Sequence, residues 1–275
     1  MRTNIWTRHY FTNIRAINNY KDLAEDFSLD GLLKSYAVFS GRKNFNDLFD
    51  SKIQLEYPTT EQLLSLLSDP NINEQGKKII DSLISKGMIT PKGMTVLKDF
   101  ETGLNELIDS YPIFSLSSLC TSNLLWSHYA SSHTGFCIEF NFDENERPLE
   151  VNYQKDIGSV NLIDIIMYSG SIITNKKFGI DVRNALLVKL EEWKYESEYR
   201  WIASNSMGRV PKGGKFIKVK YEPRKVKSII FGCRMIPDVK KYIIKNLPFT
   251  TVFKQAIETK NTIEVIDFDD KKNIL

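Results

Sequence analysis

The residues best suited to chemistry stand close together, in Trp193-Lys194-Tyr195-Glu196-Ser197-Glu198-Tyr199-Arg200-Trp201. Read as a strand, side chains alternate faces, so Glu196, Glu198 and Arg200 point one way and Tyr195, Tyr199 and Trp201 the other. Read as a helix, the two carboxylates would stand about 200° apart and the aromatics would ring the axis. The strand reading explains the pattern better. Two carboxylates two residues apart on a strand lie about 7 Å apart at the backbone, close enough for one to raise the other's pKa if shielded. Such a group can orient a ribose hydroxyl or stabilise an oxocarbenium-like centre. The plainer reading is a wet face on which Arg200 or Lys194 neutralises both acids.

Other reactive residues make weaker patterns. Cys120, His128, His133 and Cys137 are metal-ligand types, but their spacing fits no common zinc pattern, and histidines five apart do not stack on one helix face. His133 is expected at a helix end, satisfied by a carbonyl. Lys212-Gly213-Gly214-Lys215 lacks the flanking residues of a Walker loop and reads as a turn. A Gly-x-Ser-x-Gly elbow is absent. Between 209 and 227 the chain is basic, with Phe216, Lys218 and Lys220 sharing a strand face. That face suits a phosphate-rich partner or the guarding of a sheet edge.

These residues need elements to hold them. Strands are expected at 5–11, 36–40, 111–119, 136–140 and near 149–153, then at 215–221, 226–231, 250–256 and 262–268. Helices are expected over 19–35 and about 159–192, and after Pro237. Between 58 and 110, a capping box (Thr59, Gln62), the break at Asp69-Pro70-Asn71 and an N-cap at Thr90-Pro91 mark three helices. Ser122 caps another, which carries Leu125, Trp126, Tyr129, Ala130 and His133 and ends at Gly135. Trp126, Trp193 and Trp201 are expected in the core. The sum is an α+β chain with a mainly antiparallel mixed sheet, a single domain over 1–275 with a helical insertion at about 58–110.

Composition bounds the rest. The 275 residues are 42% hydrophobic and 26% charged, with a net charge of +3, ordinary for a globular protein and too weak to announce nucleic-acid binding. No apolar run approaches the roughly 20 residues of a membrane span, and the N-terminus has no secretory h-region. Three cysteines without framework spacing suit a reducing cytoplasm.

Three ordered blocks carry a resemblance. They are Arg8-His9-Tyr10 leading to Phe45-Asn46-Asp47-Leu48-Phe49-Asp50; then Leu125-Trp126-Ser127-His128-Tyr129-Ala130 with His133-Thr134-Gly135-Phe136-Cys137-Ile138-Glu139-Phe140; then Lys189 with 193–200. The chain resembles a bacterial family of unknown function related to AbiGi-type abortive-infection proteins. It departs at Leu48, where that family usually has proline. The order of parts is similar to that of ADP-ribosyltransferases, including nucleic-acid-modifying toxins. That resemblance implies NAD as substrate, an ADP-ribosyltransferase-like fold, Glu198 as catalytic carboxylate and Glu196 as its acceptor-orienting partner. It implies NAD contacts from Arg8, His9, Tyr10, Ser40, Asn46 and Asp47, and substrate contacts from His128, Tyr129 and Arg200. Expected partners are a nucleic-acid or protein acceptor and an antitoxin or other defence partner, with no membrane. Two alternatives stand beside it. One is a non-enzymatic sensor or nucleic-acid-binding module using 209–227; the other is a metal-dependent nuclease with Asp47, Asp50 and the glutamates as oxygen ligands.

Overall fold

The computed structural model describes residues 5–10, 27–85, 91–143, 146–173, 175–203 and 205–269, with the backbone alone at 5–10, 27, 91–97, 175–178 and 205. In chain order the elements begin with β1 (Ile5–Tyr10), α1 (Phe27–Lys34), β2 (Tyr36–Ser40), β3 (Ile53–Glu56), α2 (Thr60–Leu67), α3 (Glu74–Ser85) and α4 (Pro91–Asp109). Next come β4 (Ile113–Ser117), α5 (Asn123–Tyr129), β5 (Phe136–Asn141), β6 (Leu149–Glu150), β7 (Asn152–Gln154), β8 (Gly158–Asn161), α6 (Leu162–Ser169), α7 (Asn175–Leu186) and β9 (Val188–Leu190). The chain closes with β10 (Glu198–Ile202), β11 (Phe216–Lys220), β12 (Val226–Phe231), α8 (Pro237–Asn246), β13 (Val252–Glu258) and β14 (Ile263–Asp267).

Contacts divide these elements into two compact units. The first comprises 1–41, 112–151 and 192–275, and the second 42–111 and 152–191. The second unit therefore gathers the helices of 58–110 together with a later segment. Residues 159–192 are not one helical stretch. They hold the end of β8, then α6, α7 and β9, because β8 pairs in parallel with β3 and β9 with β7. The capping box forms as the sequence suggests: Thr59 Oγ1 accepts from the Gln62 N–H and the Thr59 N–H donates to Gln62 Oε1. Thr90 and residues 19–26 of the first expected helix lie outside the described residues.

Among the described residues the first unit carries a ten-stranded sheet in the order β11-β2-β4-β1-β5-β12-β13-β14, with β10 joining β4 and β6. Its pairs are antiparallel except β12 with β13, so the chain is α+β with a mainly antiparallel sheet. Alternation decides the two faces. One carries Phe39, Phe114, Leu116, Ile138, Phe140, Trp201, Val219, Ile229 and Phe231, and packs against Leu29 and Leu32 of α1 and Val239 and Ile243 of α8. The opposite face carries Cys137, Ile230 and Ala256 under Trp126 of α5. This second face also carries Ser117, Glu139, Glu198, Arg200 and Ser228.

The link from α5 to β5 sets where that helix sits. Ser122 caps its start; the helix ends at Tyr129, not at Gly135 as expected, and the chain then turns through Ser131, Ser132 and His133 in left-handed conformations. The turn docks on the end of β12, where the Gly232 N–H donates to Gly135 O and the Arg234 N–H to His133 O. A Cβ at Gly232 would lie 2.2 Å from His133 O and 2.7 Å from Gly135 O. Both obstacles are backbone, so Gly232→Ala should destabilise the fold by about 1–3 kcal/mol, read from the urea midpoint. An unchanged midpoint would show that the turn can move away.

Candidate active site

β10 is shorter than the alternating pattern suggests. Glu191–Glu196 forms a 3-10 helix, and Ser197 takes a left-handed φ of 44°. The Ser197 N–H closes the turn onto Lys194 O, and Ser197 O accepts from the Ser118 N–H. Strand geometry begins at Glu198, where β4 offers Ser117 as partner. Glu196 and Glu198 therefore stand on different elements. This corrects the expectation of a single strand bearing both.

Nor is this a wet face. Glu198 is 3% exposed, Arg200 0% and Glu196 5%. Arg200 grips Glu198 with two hydrogen bonds, Nε to Oε1 at 2.9 Å and Nη2 to Oε2 at 3.2 Å. A bidentate pair is the geometry a guanidinium favours. Burying two charges costs several kcal/mol each, however, so such a pair does little for net stability. Glu196 is tied to α5 and β4: Tyr129 Oη donates to Glu196 Oε1 at 2.5 Å, and Ser117 Oγ donates to Glu196 O at 2.7 Å. Outside this pair the rings of Tyr129, His128, Tyr195 and Trp193 follow one another, with neighbouring centroids 6.4, 6.4 and 6.1 Å apart. His128 is exposed and Trp193 and Tyr195 are half-buried, so Trp193 is not a core residue as expected, while Trp126 and Trp201 are.

β4 also joins Glu198 to the rest of its face. Its other edge meets β1 at Ser117 and β2 at Ile113, so β1 and β2 part from one another along it. Ser40 shares the face of Glu198, but lies two strand spacings and four residues away, about 16 Å. The side chains of Arg8, His9 and Tyr10 lie outside the described residues. Asn46 and Asp47 belong to the second unit, where Asp47 Oδ1 accepts from the Phe49 N–H. In that unit Lys189 meets Asp50 at 3.4 Å, both almost fully buried. Phe49 itself is half-exposed, with Lys52 Nζ 5.4 Å above its ring.

Two features were missed from sequence. Ser117 pins the turn before Glu198 but looked like one serine among several. The other is Glu139 on β5, in the same cross-strand row as Glu198, Ser117, Thr7 and Ser228. Ser228 Oγ donates to its Oε2 at 2.5 Å, with Lys254 Nζ at 3.0 Å and Lys227 Nζ 3.0 Å from Oε1. Burial alone would raise the Glu139 pKa, but those three donors outweigh it and hold the carboxyl below its ordinary value. A depressed carboxyl stabilises the fold above its unfolded pKa, and that stability is lost as pH falls through the lower folded one. Wild type should therefore lose stability below pH about 4.5 more steeply than Glu139→Gln, in urea midpoints taken from pH 6 to 3. Parallel curves would show that Glu139 does not carry this linkage.

The cysteine and histidine cluster does not assemble a metal centre: among the described residues no group of three or more His, Cys, Asp or Glu could hold an ion. Burial pushes the Cys120 and Cys137 thiols up, and burial followed by the Arg234 charge lowers His133. The nuclease ligands named from sequence divide between units, Asp47 and Asp50 in one and the glutamates in the other.

Fold and site together define an α+β protein with a dry, paired carboxylate at the start of a sheet strand and a second carboxylate on the adjoining turn. Residues 125–201, from α5 into β10, match the family described as Protein of unknown function (DUF2971). That match includes Tyr129, Glu196, Glu198 and Arg200. Comparison with curated proteins and with solved structures gives no match. No helix among the described residues is long and apolar enough to cross a membrane.

Proposed function

We propose that the chain is an NAD-dependent ADP-ribosyltransferase-like effector that modifies nucleic acid or protein. The observation that carries this reading is the buried Glu198 carboxylate, clamped by Arg200 at the first residue of β10. In the reaction the bond between ribose C1′ and the nicotinamide nitrogen breaks, its electron pair leaves with nicotinamide, and positive charge builds at C1′. A fixed carboxylate shielded from water stabilises that charge more than bulk solvent does. Glu196, oriented by Tyr129, would steer the acceptor.

Ser40 shares the sheet face of Glu198 at a distance that suits the two ends of an extended dinucleotide, and the parting of β1 and β2 beside β4 supports an ADP-ribosyltransferase-like sheet. Asn46 and Asp47 are left out of this proposal. The resemblance to AbiGi-related proteins supports a role in phage defence or as a toxin, and the free thiols at Cys120, Cys137 and Cys233 suit a cytoplasmic setting. A second reading, nucleic-acid recognition without catalysis, draws on the outward face of β11, where Phe216, Lys218 and Lys220 are all exposed.

The test is nicotinamide release from NAD by purified protein, with and without nucleic acid and cell lysate. Release that rises with one acceptor fraction is expected. No release under any condition overturns the transferase and leaves the recognition reading.

A further inference from the structure

We infer that the aromatic ledge of Trp193, Tyr195 and His128 receives an unpaired nucleobase, so that the acceptor is single-stranded nucleic acid and not protein. The inference rests on the transferase reading for its chemistry, but its geometry stands by itself. Trp193 and Tyr195 are tilted by 31° with centroids 6.1 Å apart, and His128 continues the run 6.4 Å beyond Tyr195. Such rings usually face a core; here one is exposed and two are half-buried. Every base has a π face, so a run of part-exposed rings fits single strands of mixed sequence.

The ledge is preorganised. Trp193 and Tyr195 ride on the 3-10 turn that Ser117, Ser118 and Tyr129 tie to β4 and α5. The turn ends at Glu196, two residues before Glu198, which puts a stacked base beside the reacting centre. Transfer would form a bond between ribose C1′ and a base nitrogen or oxygen as the nicotinamide bond breaks, the displaced base proton passing to Glu196.

The electrostatics favour stacking over phosphate attraction at this place. Glu191, Glu192 and Lys194 are all exposed on the same turn, which therefore offers no net positive charge to a phosphate. Contact at the ledge therefore should add affinity without adding salt dependence, unlike contact through Lys218 and Lys220.

The experiment is anisotropy of fluorescein-labelled dT12 and rA12 oligonucleotides against the full chain, without NAD, over a range of salt. Trp193→Ala and Tyr195→Ala should each weaken binding about tenfold with an unchanged salt slope, while Trp193→Phe and Tyr195→Phe retain it. Equal affinity in the alanine variants overturns the ledge. So does a ledge tryptophan quenched by AMP but not by oligonucleotide, which would give it to the adenine of NAD. A labelled acidic or basic peptide that binds the ledge in place of oligonucleotide overturns it too. Nicotinamide release by wild type is read separately. If release is absent and the ring-dependent binding holds, the transferase reading fails and base recognition stands.

Discussion

Glu198→Gln is expected to reduce nicotinamide release from NAD by roughly 10²–10³-fold, the usual cost of removing one preorganised electrostatic stabiliser. The amide keeps the shape and one acceptor oxygen, but loses the negative charge that answers the charge at C1′. The structure adds a condition that the sequence did not reveal. Arg200 is fully buried against Glu198, so the amide also removes the charge that its guanidinium clamps. Activity must therefore be compared at a temperature well below the variant's own unfolding midpoint. A folded Glu198→Gln protein that releases nicotinamide at the wild-type rate would remove Glu198 from the mechanism.

Arg200→Met is expected to have the larger effect on stability, about 3–5 kcal/mol, because it takes the clamping guanidinium from a buried carboxylate. Adding Glu198→Leu to Arg200→Met should recover most of that loss, since replacing both charges by apolar groups of similar volume is often neutral or stabilising. Urea unfolding of the two single variants and the double variant gives the coupling energy directly. A double variant that is stable yet inactive would mean that the pair is retained for chemistry and not for folding. A loss below about 1 kcal/mol in Arg200→Met would show a pair that behaves as a solvent-exposed one.

What was legible in sequence was local. The Thr59–Gln62 capping box, the Ser122 cap, the alternation through 136–140 and the helix after Pro237 all depend on neighbours within a turn or a pleat, and each formed. The types of residue at the site were legible for the same reason: two glutamates and an arginine among aromatics stand out at any fold. Their arrangement was not. A period-2 pattern runs unbroken through 193–201, yet only Glu198–Ile202 is strand, because pairing with β4 begins there and Ser197 must turn left-handed to reach it. Trp193 left the core, and Glu196 left the strand, for that one reason. The row that unites Glu198, Ser117, Glu139 and Ser228 depends on registers between strands distant in the chain, which no local pattern encodes. Composition and spacing chose the chemical groups and the α+β class. The tertiary structure decided which groups are dry, which are paired and which face carries the candidate site, since burial and register belong to the packed sheet and not to any segment of it.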